Sequence, residues 1–217
     1  MTYSIAARCP ETGAFGIAIT SSSVCVASRC AWVSPLGAML TQNVTDPQLG
    51  PAGLAMLRAG IGAQGVVGQL IAGTAGPEWR QVAVVDRYGH SAFHSGARAL
   101  PQAAASVGDG CVAMGNLLSA EAVPEAMLKA FSASAGERLA ERLMLALEAG
   151  LAAGGETGDE HAAGLHVAHQ FDWPVVDLRI DWHDEPIAAL RNLWTRYAGE
   201  ADAFIARARD PASAPSF

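Results

Sequence analysis

Thr2, the residue after Met1, and the hydroxyl run Thr20-Ser21-Ser22-Ser23 are the side chains here whose placement could do chemistry. A threonine hydroxyl is a poor nucleophile until a base removes its proton, and a free α-amine on the same residue can be that base. Loss of Met1 would leave Thr2 in this state, and small second residues generally permit that loss. The chemistry further requires a rigid strand end and hydrogen-bond donors aimed at a developing oxyanion.

The first twenty residues predict that setting. Tyr3, Ile5 and Ala7 alternate with smaller residues, and so do Phe15, Ile17 and Ile19 after the turn Pro10-Glu11-Thr12-Gly13. Period-two patterning around turn residues predicts a β-hairpin. Opposing bulky to bulky, Ile5 to Ile17 and Tyr3 to Ile19, sets a register that brings Thr2 opposite Thr20. Further on, Gly37 to Leu40 reads as a strand ending at Thr41-Gln42-Asn43, and Asp46-Pro47 as the start of a helix. A second helix carries Val66, Val67, Leu70 and Ile71. Gln81 to Val85 and Ser91 to Ser95 form a second hairpin, and Cys111 to Met114 a short strand before Gly115-Asn116. Ser119 is expected to cap a helix bearing Val123, Met127 and Phe131, and another helix carries Leu139, Leu143 and Leu147. Two strands, Ala163 to Ala168 and Val175 to Ile180, precede a long last helix from Pro186 to Phe204. The pattern predicts an α+β protein of sheets covered by helices, one domain over 1–209 with a flexible tail over 210–217.

Composition narrows the class. The chain has 217 residues, enough for one domain with a substantial core, and its 51% hydrophobic fraction is inflated by alanine. No stretch approaches the roughly 18 apolar residues of a membrane span, and no basic segment leads into an apolar run near Met1. Acidic residues outnumber basic ones 21 to 14, and the basic ones are scattered, which argues against nucleic acid. Cys9, Cys25, Cys30 and Cys111 show no metal-binding rhythm and read as reduced thiols, so a cytoplasmic protein is expected. Large residues on the last helix, Trp194 and Tyr197, lead to the expectation of a homo-oligomer.

Competing chemistry rests on the histidines. His161, His166 and His169, followed by Asp177, Asp181 and His183, could support a metal-bound water. The spacing offers no HxH or HxxxH pair, so no metal and no other cofactor is expected. His94 and Ser95 are adjacent on a strand and point to opposite faces, which removes a serine-triad reading. Gly154-Gly155 with Gly158 lacks the lysine of a phosphate loop.

Seven segments together resemble a bacterial family of unknown function, domain of unknown function 1028. They are 1–8 (MTYSIAAR), 41–47 (TQNVTDP), 49–54 (LGPAGL), 79–86 (WRQVAVVD), 94–96 (HSG), 115–118 (GNLL) and 176–181 (VDLRID). The resemblance implies the N-terminal-nucleophile hydrolase fold, a four-layer αββα sandwich whose other members hydrolyse amides. The opening hairpin is similar to the threonine-led hairpin of the asparaginase branch. That branch frees its threonine by self-cleavage; here, removal of Met1 is expected to do so.

On this reading the chain hydrolyses an amide bond of a small molecule. Thr2 attacks the carbonyl, and Thr20 and Ser21 orient its amine or hydroxyl. Asn116 donates to the oxyanion, with Asn43 as a second candidate, and Arg29 binds a substrate carboxylate through its planar fork. Each has a plainer alternative. Thr2 can be a β-branched strand opener, Thr20 to Ser23 can satisfy strand-end backbone, Asn43 and Asn116 can be turn residues, and Arg29 a surface charge. A non-catalytic small-molecule-binding protein on the same fold is the second functional reading.

Overall fold

In the computed structural model, which describes residues 1–216, two antiparallel sheets organise the chain. The larger holds β1 (Thr2–Arg8), β2 (Phe15–Ser21), β7 (Ala104–Gly108), β8 (Cys111–Asn116), β9 (Ala162–Ala168) and β10 (Val176–Ile180). Its strand order is β10-β9-β2-β1-β8-β7, so the opening hairpin lies at the centre. The smaller sheet, in simple sequence order, holds β3 (Ala31–Ser34), β4 (Gly37–Asn43), β5 (Arg80–Asp86) and β6 (Ser91–Ser95). Seven α-helices occur among the described residues: α1 (Val26–Cys30), α2 (Leu49–Arg58), α3 (Ala63–Gly73), α4 (Val123–Ala133), α5 (Leu139–Ala152), α6 (Pro186–Ala198) and α7 (Ala201–Arg209).

Three apolar clusters hold these elements together. Tyr3, Ile5, Ala18 and Leu165 face Met127, Phe131, Leu143, Leu147 and Leu190 of α4, α5 and α6. On the other side of the same strands, Ala6, Ile17, Ile19 and Met114 meet Leu40, Ala83 and Val85 of the smaller sheet. The outer face of the smaller sheet, through Met39, Val82 and Val84, packs on Leu57, Val66 and Leu70 of α2 and α3. Alternation along β1 thus sends odd residues to the helices and even residues to the smaller sheet.

That double burial corrects the expected register. The hairpin pairs Tyr3 with Thr20, Ile5 with Ala18 and Ala6 with Ile17, one residue away from bulky-to-bulky pairing. Where only one face is buried, matching large residues fixes the register. Here both faces are buried, and each is filled by large residues opposed to small ones. On β2, Thr20 therefore pairs with Tyr3 and not with Thr2; on the other side of β1, Thr2 has Asn116 of β8 as its cross-strand partner.

Other departures are local. The short helix α1 and strands β3 and β7 carry too few patterned residues to register as elements. Asp46 accepts from the Gln48 amide at 3.0 Å in a turn before α2, while α4 follows Ala122 with no side-chain cap from Ser119. The expected last helix is two, α6 and α7, divided at Gly199 and Glu200. Trp194 is buried in its own chain, and the half-buried Tyr197 donates its hydroxyl to the Val175 carbonyl at 2.9 Å. The Arg207 guanidinium reaches the Pro215 and Ser216 carbonyls, both at 3.1 Å; Phe217, the end of the expected tail, lies outside the described residues. No described helix is long and apolar enough to cross a membrane.

Candidate functional site

At the end of the larger sheet where β1 begins, β2 and β8 both end, so Thr2, Ser21 and Asn116 converge. Thr2 and Ser21 share the face turned toward the smaller sheet, and their hydroxyl oxygens are 3.2 Å apart. Both hydroxyls also donate to the Met1 carbonyl oxygen. Ser21 Oγ accepts the Ser23 amide at 3.0 Å, which ties the strand-end hydroxyl to the bend that follows. Thr20 points the other way, and its hydroxyl donates to the Ala162 carbonyl at 2.9 Å. It therefore supports the β2–β9 edge and does not touch Thr2.

Beneath Thr2 runs a buried polar chain that carries none of the apolar packing around it. Ser4 Oγ donates to Gln42 Oε1 at 2.7 Å, and Gln42 Nε2 lies 3.3 Å from Gln81 Oε1 and 3.4 Å from the Met114 carbonyl. Gln81 Nε2 donates to the Gly115 carbonyl and to Ser95 Oγ, each at 3.0 Å. Because a carbonyl only accepts, this fixes the Gln81 amide and leaves its Oε1 to receive Asn116 Nδ2 at 2.8 Å. Asn116 is fully buried, and its Oδ1 has no partner among the described residues. One amide hydrogen of Asn116 is thus committed, and the free oxygen on this side chain is an acceptor.

Glu156, which the sequence pattern did not single out, completes the cluster. It sits in the loop after α5, only 5% exposed, with Oε2 accepting the Ser22 amide at 3.3 Å and Oε1 buried without a partner. Burial pushes its carboxyl up to about 8, while the nearby chain-terminal ammonium and the Ser22 amide pull it back. Glu160 lies alongside and accepts the Glu156 amide at 3.2 Å. On the helix-facing side, burial and these two carboxylates push the Tyr3 hydroxyl far above its ordinary range. A glutamate among Gly154, Gly155 and Gly158 gives no periodic signal; only the unusual Gln42 and Gln81 within apolar strands hinted at a buried polar track.

The other candidates lie apart from this cluster. Asn43 adopts a positive φ of 73° at the end of β4; its amide donates to the Trp79 carbonyl and its Oδ1 accepts the Leu100 amide. Asn is among the residues that tolerate such a backbone, and here it clamps two loops. The Arg29 guanidinium donates to the Val24 carbonyl at 2.9 Å on an exposed edge. Among the histidines, His161 stacks on Trp182 with ring centroids 4.3 Å apart, His166 is buried 3.4 Å from Asp177, and His169 contacts the Thr12 carbonyl. No three His, Cys, Asp or Glu side chains among the described residues come together as a metal site.

Comparison with known proteins adds a family. The family model described as "Family of unknown function (DUF1028)" matches residues 2–190. Among solved structures, protein SPO2555 from Silicibacter pomeroyi, assigned to the same family model, superposes with a TM-score of 0.84 at 32% identity, over 91% of this chain and 89% of that one. A Gly-1 mutant of Anbu from Hyphomicrobium sp. strain MC1 aligns over 94% of this chain and 99% of its own, at 13% identity and a TM-score of 0.43. No curated protein matches the chain.

Proposed function

This chain belongs to the DUF1028 family of unknown function, and from that premise we propose that it is an amidohydrolase with Thr2 as nucleophile, built on a four-layer αββα sandwich of the N-terminal-nucleophile type. The observation that carries the reading is the 3.2 Å approach of the Thr2 and Ser21 hydroxyls at a buried strand end, beside two buried oxygens, Asn116 Oδ1 and Glu156 Oε1, that lack partners. Unpartnered buried acceptors are costly. A site holding two of them suits a donor-rich group, such as the ammonium that Thr2 gains once Met1 is gone.

In the proposed reaction the Thr2 hydroxyl adds to the carbonyl carbon of a small amide while its own α-amine takes the proton. The tetrahedral intermediate collapses to an ester on Thr2, and the ammonium returns a proton to the departing amine. Water then adds to the ester with the same amine as base, releasing the acid and restoring Thr2. Ser21 orients the hydroxyl. Glu156, whose carboxyl burial pushes up to about 8, takes a proton from the Thr2 ammonium and so frees the amine to act as base. The remaining hydrogen on Asn116 Nδ2 is the donor available for the oxyanion. Asn43 and Arg29 have no part in this step.

The contact of both hydroxyls with the Met1 carbonyl favours a second reading, a non-catalytic binder that retains Met1 and uses the same cluster for a small ligand. Turnover of a panel of small amides by the protein and by Thr2→Ala separates the two. Activity in the parent that vanishes in Thr2→Ala with an unchanged circular dichroism spectrum supports the nucleophile; equal activity in both rejects it.

A further inference from the structure

A cavity of about 700 Å³ opens at the opposite end of the larger sheet, where β1 gives way to the Cys9–Ala14 turn. Strands rise about 3.3 Å per residue, so the length of β1 puts it roughly 20 Å from Thr2. Its size is that of a small-ligand site, and such sites combine an apolar lining with a few placed polar groups. Val167, Val176, Leu139 and Trp194 line it, and Ala201 and Ile205 of α7 close one side. That side lies beyond residues 2–190, the part matched by the family model, and the site is independent of the Thr2 reading.

The polar groups around the cavity are nearly all acceptors. Arg138 is the one guanidinium among its lining residues, and it is taken up by Asp202 at 2.8 Å. His169 Nε2 donates to the Thr12 carbonyl at 2.9 Å. Glu11 Oε2 accepts the Cys9 thiol at 3.1 Å, a contact that holds the carboxyl below its ordinary range. Glu137 lines the same cavity with no side-chain partner among the described residues. With Arg138 and Asp202 paired, the charges left at the apolar cavity are the carboxylates of Glu11 and Glu137, which favour a cation over a fatty anion.

We propose that this cavity binds a small amphiphilic organic cation, with its apolar body on Val176 and Trp194 and its ammonium between Glu11 and Glu137. Calorimetric titration of the full-length protein with n-octylammonium, 1-octanol and octanoate, which share a tail and differ in head, tests this. Octylammonium should bind at least about tenfold more tightly than octanol, and octanoate should show no saturation. The double variant Glu11→Gln/Glu137→Gln removes two exposed charges at the cavity and should reduce octylammonium to the level of octanol. Ala14→Leu, which narrows the cavity, should weaken both. Equal binding of amine and alcohol, binding unchanged in the double variant, or no binding by any of the three would overturn the proposal. Thr2→Ala should leave these affinities untouched, so failure here and failure of the amidohydrolase reading are separate results.

Discussion

Thr2 and Asn116 stand opposite each other across the ladder between β1 and β8, and the Asn116 amide is held in one orientation by Gln81 at 2.8 Å. The nucleophile candidate is therefore referenced to the smaller sheet through a chain of buried amides, not through a loop. Positional control of this kind is what a reacting hydroxyl needs, because small displacements of reacting groups are costly in rate.

Replacing Gln81 by leucine should break that chain. The Asn116 amide, the Ser95 hydroxyl and the Gly115 carbonyl all lose a buried partner, at a cost of about 2–4 kcal/mol. Urea denaturation of Gln81→Leu against the parent measures this. A loss below about 0.5 kcal/mol would mean that the chain does not hold the two sheets in place.

Glu156 makes stability depend on pH. Below pH 4.5, its ordinary value, the carboxyl is protonated folded and unfolded alike. Between 4.5 and about 8 the unfolded chain releases the proton while the folded chain keeps it, so stability falls as pH rises through that window. The loss is on the order of a few kcal/mol. Glu156→Gln has no such proton and should show a flatter profile between pH 5 and 8, gaining on the parent as pH rises. Parallel profiles for the two proteins would show that Glu156 titrates normally.

Gly164 on β9 faces α1 so closely that an added Cβ would fall 2.3 Å from the Ala27 Cβ. Neither element can retreat without parting the two sheets where Val26 and Ala27 fill the space between them. Gly164→Ala should therefore cost about 1–3 kcal/mol through overpacking, read as a lowered urea midpoint. An unchanged midpoint would mean that α1 yields freely.

Much of the fold was legible in the sequence because long periodic segments announce themselves. The Leu139–Leu147 helix, the hairpin through Gly89 and the opening hairpin all stand where period and turn residues put them. The hairpin's register was not legible. Alternating Ile and Ala reveals two faces, but when both are buried neither is marked as outside, and the pairing of large with small follows from the partner layers. The site divides in the same way. Thr2 and Ser21 were readable from hydroxyls at a strand end, and the structure brings them together. Thr20, their neighbour in sequence, is turned away by strand alternation. Glu156 was invisible because a loop glutamate looks solvated until a fold buries it.

Ser21 should matter for rate more than for binding. Its hydroxyl touches Thr2 and no other catalytic candidate, so Ser21→Ala is expected to lower kcat on a responsive amide by about tenfold to a hundredfold with little change in KM. Thr20→Ala should leave kcat within about threefold, since its hydroxyl is spent on Ala162. Equal losses in the two variants would contradict the assigned geometry.

The free amine of Thr2 is the premise on which the chemistry rests, and the intact mass of untagged protein expressed from its own start codon tests it most directly. The expected result is a mass short by one methionine, with Thr2 as the first residue on sequencing. Full retention of Met1 would contradict the nucleophile assignment and leave the cluster at Thr2, Ser21, Asn116 and Glu156 as a binding site without turnover.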